Sequence, residues 1–320
     1  MQIHLLDIIG LTNLQYVYIL TITGPVNGKD MLMIQTQFPH LKILDMSNAT
    51  IVSGGYVYTT TDNQIGDYMF NDLKNLETVT LPTTVTSSGN YAFSGCSTLK
   101  CITIPSCVTT IGSFAFYNCA SMRYISFPNT ITSIGNYAFS GCSSLTSLTI
   151  PPEVTTINYY TFYNCSGLTS VMIPSKVTSI RTHAFAFCNK MKAIYTLNPN
   201  PPTVYMDGFE EIDKSACILH IPPGSYQKYY PADGWSEFLK LNEETMTDEK
   251  VSELAPISLS VEDNLLIIRG VDPGAIITIY TVSGVQLLSL PADGEEQRIS
   301  LPSGALYFVK VGSQTLKVVL

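Results

Sequence analysis

The sequence predicts a chain in two parts, a solenoid of short stacked coils followed by a small all-β sandwich. Three observations carry that expectation. An Ala-Phe pair recurs every 23 residues, at Ala92-Phe93, Ala115-Phe116, Ala138-Phe139 and Ala184-Phe185, with Thr161-Phe162 as the altered copy. A cysteine follows each phenylalanine by three positions, at Cys96, Cys119, Cys142, Cys165 and Cys188, and prolines keep the same phase at Pro82, Pro105, Pro128, Pro151 and Pro174. From Pro256 onward that repeat gives way to short alternating runs separated by turn residues.

Within one coil the order of elements follows from the pattern. Leu145-x-x-Leu148-x-Ile150-Pro151 alternates apolar and polar residues as a short strand does, and the proline ends it by removing a ladder donor. The next segment, Val154-x-x-Ile157, suits a second short strand, which in other coils closes on Gly112 or Gly135. Thr161-Phe162-x-x-Cys165-x-x-Leu168 has the i, i+3 spacing of a helical turn, with Phe and Cys aimed inward. No such coil can bury its own face, so coils must stack and each column becomes a ladder of like residues. A looser form reaches back to Leu14-x-x-Val17-x-Ile19 and Leu41-x-x-Leu44-x-Met46, giving eight strand units from Leu14 to Met191, with an insertion near Ser53–Asn63.

The A-F-x-x-C signature, with its I-P and I-G partners, resembles the BspA-like class of bacterial leucine-rich repeats over about residues 11–197. The resemblance implies a right-handed leucine-rich-repeat solenoid carried by secreted or cell-surface proteins, used without catalysis for adhesion or host-molecule binding. It also implies an outer-membrane-associated or secreted destination. No leader is visible, since the first basic residue is Lys29 and the early apolar run is broken by Asp7, Asn13 and Gln15; the protein is either cytosolic or has a leader upstream of Met1, and the resemblance favours the second.

The domain reading is therefore 1–197 solenoid, 198–241 C-terminal cap, 242–255 acidic linker and 256–320 β-sandwich. Pro199, Pro201 and Pro202 break the repeat, and Trp235 and Phe238 are expected to plug the last coil; a sugar-stacking role for Trp235 is the rival reading. Seven strands are expected, at 257–261, 265–269, 275–282, 285–290, 297–301, 305–311 and 314–320, arranged as an immunoglobulin-like sandwich. The Ile279-Tyr280-x-x-Ser283-Gly284 and Leu301-to-Val311 stretches resemble C-terminal sorting domains of type IX secretion cargo; a spacing module without sorting activity reads equally well.

Composition excludes several function classes. Net charge is −8, so nucleic acid is not expected as a partner, because phosphate binding needs clustered cations. No apolar run is long enough to span a bilayer. The sequence contains no G-x-S-x-G, HExxH, P-loop or GxGxxG, and its four histidines, His4, His40, His183 and His220, are dispersed. Asp62, Asn63, Asp67 and Asp72 lack the glycine and glutamate of an EF-hand loop and read as a solvated loop. Neither enzyme activity nor a cofactor or metal is expected. The five column cysteines read as a reduced, buried ladder, without the spacing of metal ligands.

Charge is unevenly placed: −4 over residues 1–77, +5 over 78–200 and −9 over 201–320, and Glu153 is the single acid of the middle stretch. Outward strand positions should line the concave sheet. Arg and aromatic side chains on an otherwise small, flat surface are binding anchors, so the candidate ligand-binding residues are Arg123 and Tyr124, with Lys100, Met172, Lys192 and Tyr195 around them. The expected partner is a host or matrix protein or a glycan, held by a monomer; an ordinary solvated Ser/Thr face or a surface spacer is the alternative. A second column, Tyr91, Phe114, Tyr137, Tyr160 and His183, should stack along one edge as a stabilising ladder or serve as a glycan strip.

Overall fold

The computed structural model describes residues 14–123, 125, 127–245, 258–262, 265–269, 276–281, 286–291, 296–301, 306–311 and 314–319. The chain divides into two compact units, one ending at Thr245 and the other beginning at Met246.

The first unit is a parallel-strand solenoid with few helices. One face is built from Ile19–Val26, Ile43–Ile51, Thr78–Thr80 and Cys101–Ile102, which pair in that order, and from Ser147–Thr149, Ser170–Ile173, Ala193–Thr196, Ile218–Ile221 and Lys240–Glu243. The coil between these two runs holds Tyr124 and Ser126, which lie outside the described residues. A second ladder of two-residue strands runs alongside, from Gln64–Ile65 through Ser133–Ile134 and again from Thr156–Ile157 to Thr203–Val204.

Between the ladders, the Ala-Phe-x-x-Cys segment forms successive i, i+3 turns rather than a helix. Ser94 N donates to Tyr91 O, Cys96 N to Phe93 O and Leu99 N to Cys96 O. Two left-handed residues per coil stop a helix from propagating: Tyr91 and Gly95, Phe114 and Asn118, Tyr137 and Gly141, Tyr160 and Asn164, His183 and Phe187. The core is the phenylalanine column. Phe70, Phe93, Phe116, Phe139, Phe162 and Phe185 are fully buried and stack with centroids 4.6–5.6 Å apart. Burial of each ring is worth about 2–3 kcal/mol.

The column cysteines sit in the same core as free thiols. Each donates its S–H to the phenylalanine carbonyl of the preceding coil: Cys96 to Phe70, Cys119 to Phe93, Cys142 to Phe116, Cys165 to Phe139 and Cys188 to Phe162, at 3.0–3.3 Å. A cysteine suits this column because it is small, packs as a hydrophobe and still supplies a donor. Burial pushes the thiols of Cys96, Cys142 and Cys188 up to about 12. The structure records Cys107 as exposed and Cys217 as buried.

The parallel sheet runs past residue 197, where the cap was expected to begin. Ile218–Ile221 pairs with Ala193–Thr196, and Lys240–Glu243 pairs with Ile218–Ile221. The segment Val204-x-x-Asp207-Gly208-Phe209-x-x-Ile212 repeats Ile180-x-x-His183-Ala184-Phe185-x-x-Cys188 at a spacing of 24. Phe209 stacks on Phe185 at 5.7 Å, and Asp207 is left-handed as His183 is. Trp235 and Phe238, both buried, then meet Phe209 edge-on at 5.2 and 5.4 Å. Trp235 Nε1–H donates to Pro202 O at 2.7 Å. An indole closed to solvent cannot stack on a sugar.

At the other end the coils are longer and one carries an α-helix, Gly28–Gln37, which the repeat pattern did not announce. Asn27 caps it, accepting from Lys29 N, while Asp30 reaches back to Asn27 N in a capping box. The insertion folds over this helix start: Thr60 Oγ1 accepts from Gly28 N, and a Cβ at Gly28 would fall 1.4 Å from Tyr58 O.

The described residues of the second unit form seven antiparallel strands, each within one residue of the expected positions. Ser258–Glu262, Leu265–Arg269 and Glu296–Ser300 form one sheet; Gln286–Pro291, Ile276–Thr281, Leu306–Val311 and Gln314–Val319 form the other. Leu266, Ile268, Ile277, Ile279, Val309 and Val311 are buried. The fourth strand pairs with the third, whereas constant-type immunoglobulin domains place it beside the first, second and fifth. The expected linker 242–255 falls mostly outside the described residues.

Candidate ligand-binding surface

Backbone hydrogen bonds set the residues expected to line the concave sheet in rows across successive coils. Lys100 N donates to Glu77 O, Arg123 N to Lys100 O, Thr146 N to Arg123 O, Thr169 N to Thr146 O and Lys192 N to Thr169 O. Lys100, Arg123 and Lys192 are exposed on this one row, and three coil steps place Arg123 roughly 14 Å from Lys192.

Their electrostatic situations differ. Glu77 is clamped between Lys42, at 3.0 Å, and Lys100, at 2.5 Å. Hydrogen bonds from Lys100 and then Lys42 hold its carboxyl below the usual range. Lys100 is therefore held in an ion pair, although the one carboxylate offsets only one of the two lysine charges. Among the described residues no carboxylate pairs with Arg123 or Lys192. Threonines and serines fill the space between them: Thr146, Thr169, Ser147 and Ser170.

Two expected anchors change character. Met172 is only 2% exposed, because its register places it between Thr149 and Tyr195 on a sheet where a long, flexible side chain is covered by its neighbours. It belongs to the floor of the surface and, contrary to the expectation from sequence, is too buried to anchor a ligand. Tyr195 is half-buried and stacks on His220 with centroids 4.2 Å apart, so one ring face is covered; His220 Nδ1 in turn meets Glu244 Oε1. Tyr124 lies outside the described residues.

The edge column stacks as expected from Tyr91 to Tyr160, with Tyr68 added before it, whereas His183 is tilted by 47° against Tyr160 and turns its Nδ1 to Glu210. Tyr68, Tyr91, Phe114, Tyr137 and Tyr160 lie 4.5–4.8 Å apart with interplanar angles of 3–5°. Ring faces are spent on one another, which leaves only edges outward. A sugar needs an open face, so the column is a stabilising ladder.

A further cluster escaped the sequence reading. Arg181 lies over the Tyr205 ring at 4.4 Å and near Tyr159 at 6.0 Å. Its signal was available: Arg181 stands where Gly66, Gly89, Gly112 and Gly135 stand in earlier coils. Tyr205 was invisible as its partner because it lies in the coil whose signature is eroded.

In the acidic loop, Asp62 accepts from Ser53 N and Oγ at 2.6 Å, and Asp67 accepts from Asn90 N at 2.7 Å. These carboxylates cap backbone, and among the described residues no cluster has metal-binding geometry. No helix among them is long and apolar enough to cross a membrane.

The family model for the BspA type leucine rich repeat region matches residues 63–192 in six copies. The chain carries a BspA-type leucine-rich repeat region. No curated protein matches the chain. Among solved structures, the T. pallidum leucine-rich repeat protein TpLRR is similar at 29% identity, over 47% of this chain and 71% of that one, with a TM-score of 0.42. A leucine-rich cell surface protein from Faecalibacterium prausnitzii is 25% identical over 78% of this chain and 54% of its own, with a TM-score of 0.49. The pneumococcal vaccine antigen PcpA is 16% identical over 72% of this chain and 58% of its own, with a TM-score of 0.43. The leucine-rich repeat region thus supplies the concave row, and its six copies are the coils that hold Lys100, Arg123 and Lys192.

Proposed function

We propose that this is a non-enzymatic bacterial surface protein whose leucine-rich repeat face holds a macromolecular ligand, a protein or a glycan. The observation that carries the reading is the row Arg123–Thr146–Thr169–Lys192, two exposed cations that no carboxylate pairs with among the described residues, joined by hydroxyls. Such a surface offers charge-assisted hydrogen bonds at little cost in ordering, since the backbone beneath it is already fixed by parallel pairing. The repeat family and the cell-surface relative support an extracellular setting. A surface spacer without a ligand is the competing reading.

The test is capture of the full chain on immobilised mucin, serum proteins and matrix extract. A double Arg123→Glu, Lys192→Glu variant and, separately, Ser170→Trp are compared with Thr132→Trp on the second ladder. The reading predicts at least a tenfold loss of capture for both concave variants and none for Thr132→Trp. Capture that survives all three substitutions, or no capture at all, overturns it in favour of the spacer.

A further inference from the structure

We propose that Tyr159, Arg181, Tyr205 and Met206 form a second docking site, away from the concave face, for a peptide segment of a protein partner that bears a carboxylate beside an apolar side chain. The site comes from a change in two adjacent columns. In four successive coils these columns read Gly66-Asp67, Gly89-Asn90, Gly112-Ser113 and Gly135-Asn136. In the next three they read Asn158-Tyr159, Arg181-Thr182 and Tyr205-Met206.

Glycine is demanded in the early coils by close approach. A Cβ at Gly112 would lie 2.3 Å from Gly89 O, and one at Gly135 2.5 Å from Ser113 N. At Asn158 the second ladder breaks, between Ser133–Ile134 and Thr156–Ile157. The Asn158 side-chain amide donates to Ile134 O at 2.7 Å, replacing the bond that Gly135 N makes to Ile111 O. Phenylalanine centroids also separate to 5.6 Å at this step. Side chains become possible where backbone contact had excluded them, and the chain fills the room with Tyr, Arg and Met.

Those are the residue types that concentrate in protein interfaces. Tyr159 is 44% exposed, Tyr205 41% and Met206 74%, and the contacts of Arg181 with both tyrosines tie this apolar surface to a cation. Arg181 supplies the specificity. Its guanidinium lies over one tyrosine and near another, which holds a planar fork in place through its faces and leaves its N–H edge for an incoming group. A carboxylate matches that edge with two parallel hydrogen bonds. Among the described residues no carboxylate fills the role: Glu153 is taken by Lys176 and Glu210 pairs with His183. Met206 then offers an apolar contact beside the charge. A sugar is disfavoured because the guanidinium covers the near face of Tyr205.

The experiment uses the full chain and an array of eight-residue peptides. Each carries one Asp or Glu flanked by Leu, Ile, Met, Val or Phe, and each has an Asn or Gln twin; sialyllactose is the glycan probe. Binding is read by fluorescence polarisation of the best peptide. The proposal expects acidic peptides to bind at least tenfold more tightly than their amide twins. It expects Arg181→Lys, which keeps the charge but loses the fork, to cost tenfold or more. Met206→Asp, at a position too exposed to disturb the fold, should also abolish binding. The proposal is overturned by equal binding of acid and amide twins, by full retention in Arg181→Lys or Met206→Asp, by sialyllactose binding where peptides do not, or by no binding across the array. The Arg123→Glu, Lys192→Glu variant should bind these peptides unchanged, which separates this site from the concave one.

Discussion

The Sγ–H of Cys142 donates to the carbonyl oxygen of Phe116, 3.3 Å away and one coil earlier. The same bond recurs through the column, so a thiolate at any of these positions would lose a donor and sit unsolvated in the core. In the unfolded chain the thiol ionises near 9.0, whereas in the fold Cys96, Cys142 and Cys188 hold their protons to about 12. Stability is therefore complete below pH 9 and is lost progressively as pH rises from 9 towards 12. Urea midpoints should change little between pH 8 and 9 and fall as pH rises above 9, and Cys142→Ala should lessen that fall. A flat profile refutes the assignment. Peptide mapping after native alkylation should find Cys107 labelled and the five column thiols untouched.

Tyr137 combines a left-handed backbone, φ 56°, with rings stacked on both sides, Phe114 at 4.6 Å and Tyr160 at 4.5 Å. Replacing it with Ala removes the stacking and keeps the backbone strain; replacing it with Gly removes both. Tyr137→Gly should therefore be more stable than Tyr137→Ala by about 1 kcal/mol, the reverse of their order within a helix. Thermal melts of the two variants decide it.

Asn158 is the hinge on which the second ladder breaks. Asn158→Leu leaves Ile134 O without its donor and should cost about 1–3 kcal/mol in denaturant midpoints. Asn158→Gly should cost less, because its own N–H can take the carbonyl as Gly135 does at Ile111. Equal losses for the two would show that the amide bond contributes nothing.

Glu77 gives a prediction at acid pH. Lys100 and Lys42 hold its carboxyl below the ordinary 4.5, so the pair's contribution is present above pH 4.5 and disappears as pH falls through the lowered folded value. Because the site is partly exposed, Glu77→Gln should cost less than about 1 kcal/mol at pH 7. The difference between wild type and variant should vanish at lower pH. A gap that persists at pH 2 would mean that the ion pair is not its source.

The solenoid was legible because stacking turns one coil's chemistry into a column: Phe93, Phe116 and Phe139 keep their spacing in sequence because they must touch in space. The coil around Phe209 was not legible. Once Gly208 replaces Ala184 and Ile212 replaces Cys188, the signature disappears while its volumes and left-handed residues survive. The helix Gly28–Gln37 was readable from the Asn27/Asp30 capping pair but lay outside the repeat. Met172 occupied an outward position, and alternation alone cannot report that neighbouring side chains close over it. Arg181 stood out of phase with its glycine column, yet its partner Tyr205 could be found only through the spatial register.

Each coil is bonded along its length only to the coil before and the coil after, with 23 residues wound into a rise of about 4.8 Å. Tension applied at the two ends would act on those bonds one coil at a time instead of shearing all of them together. Each released coil would lengthen the thread by roughly 75 Å. A tether built this way yields in equal increments, and the Trp235 end would set the force at which unwinding from that side begins.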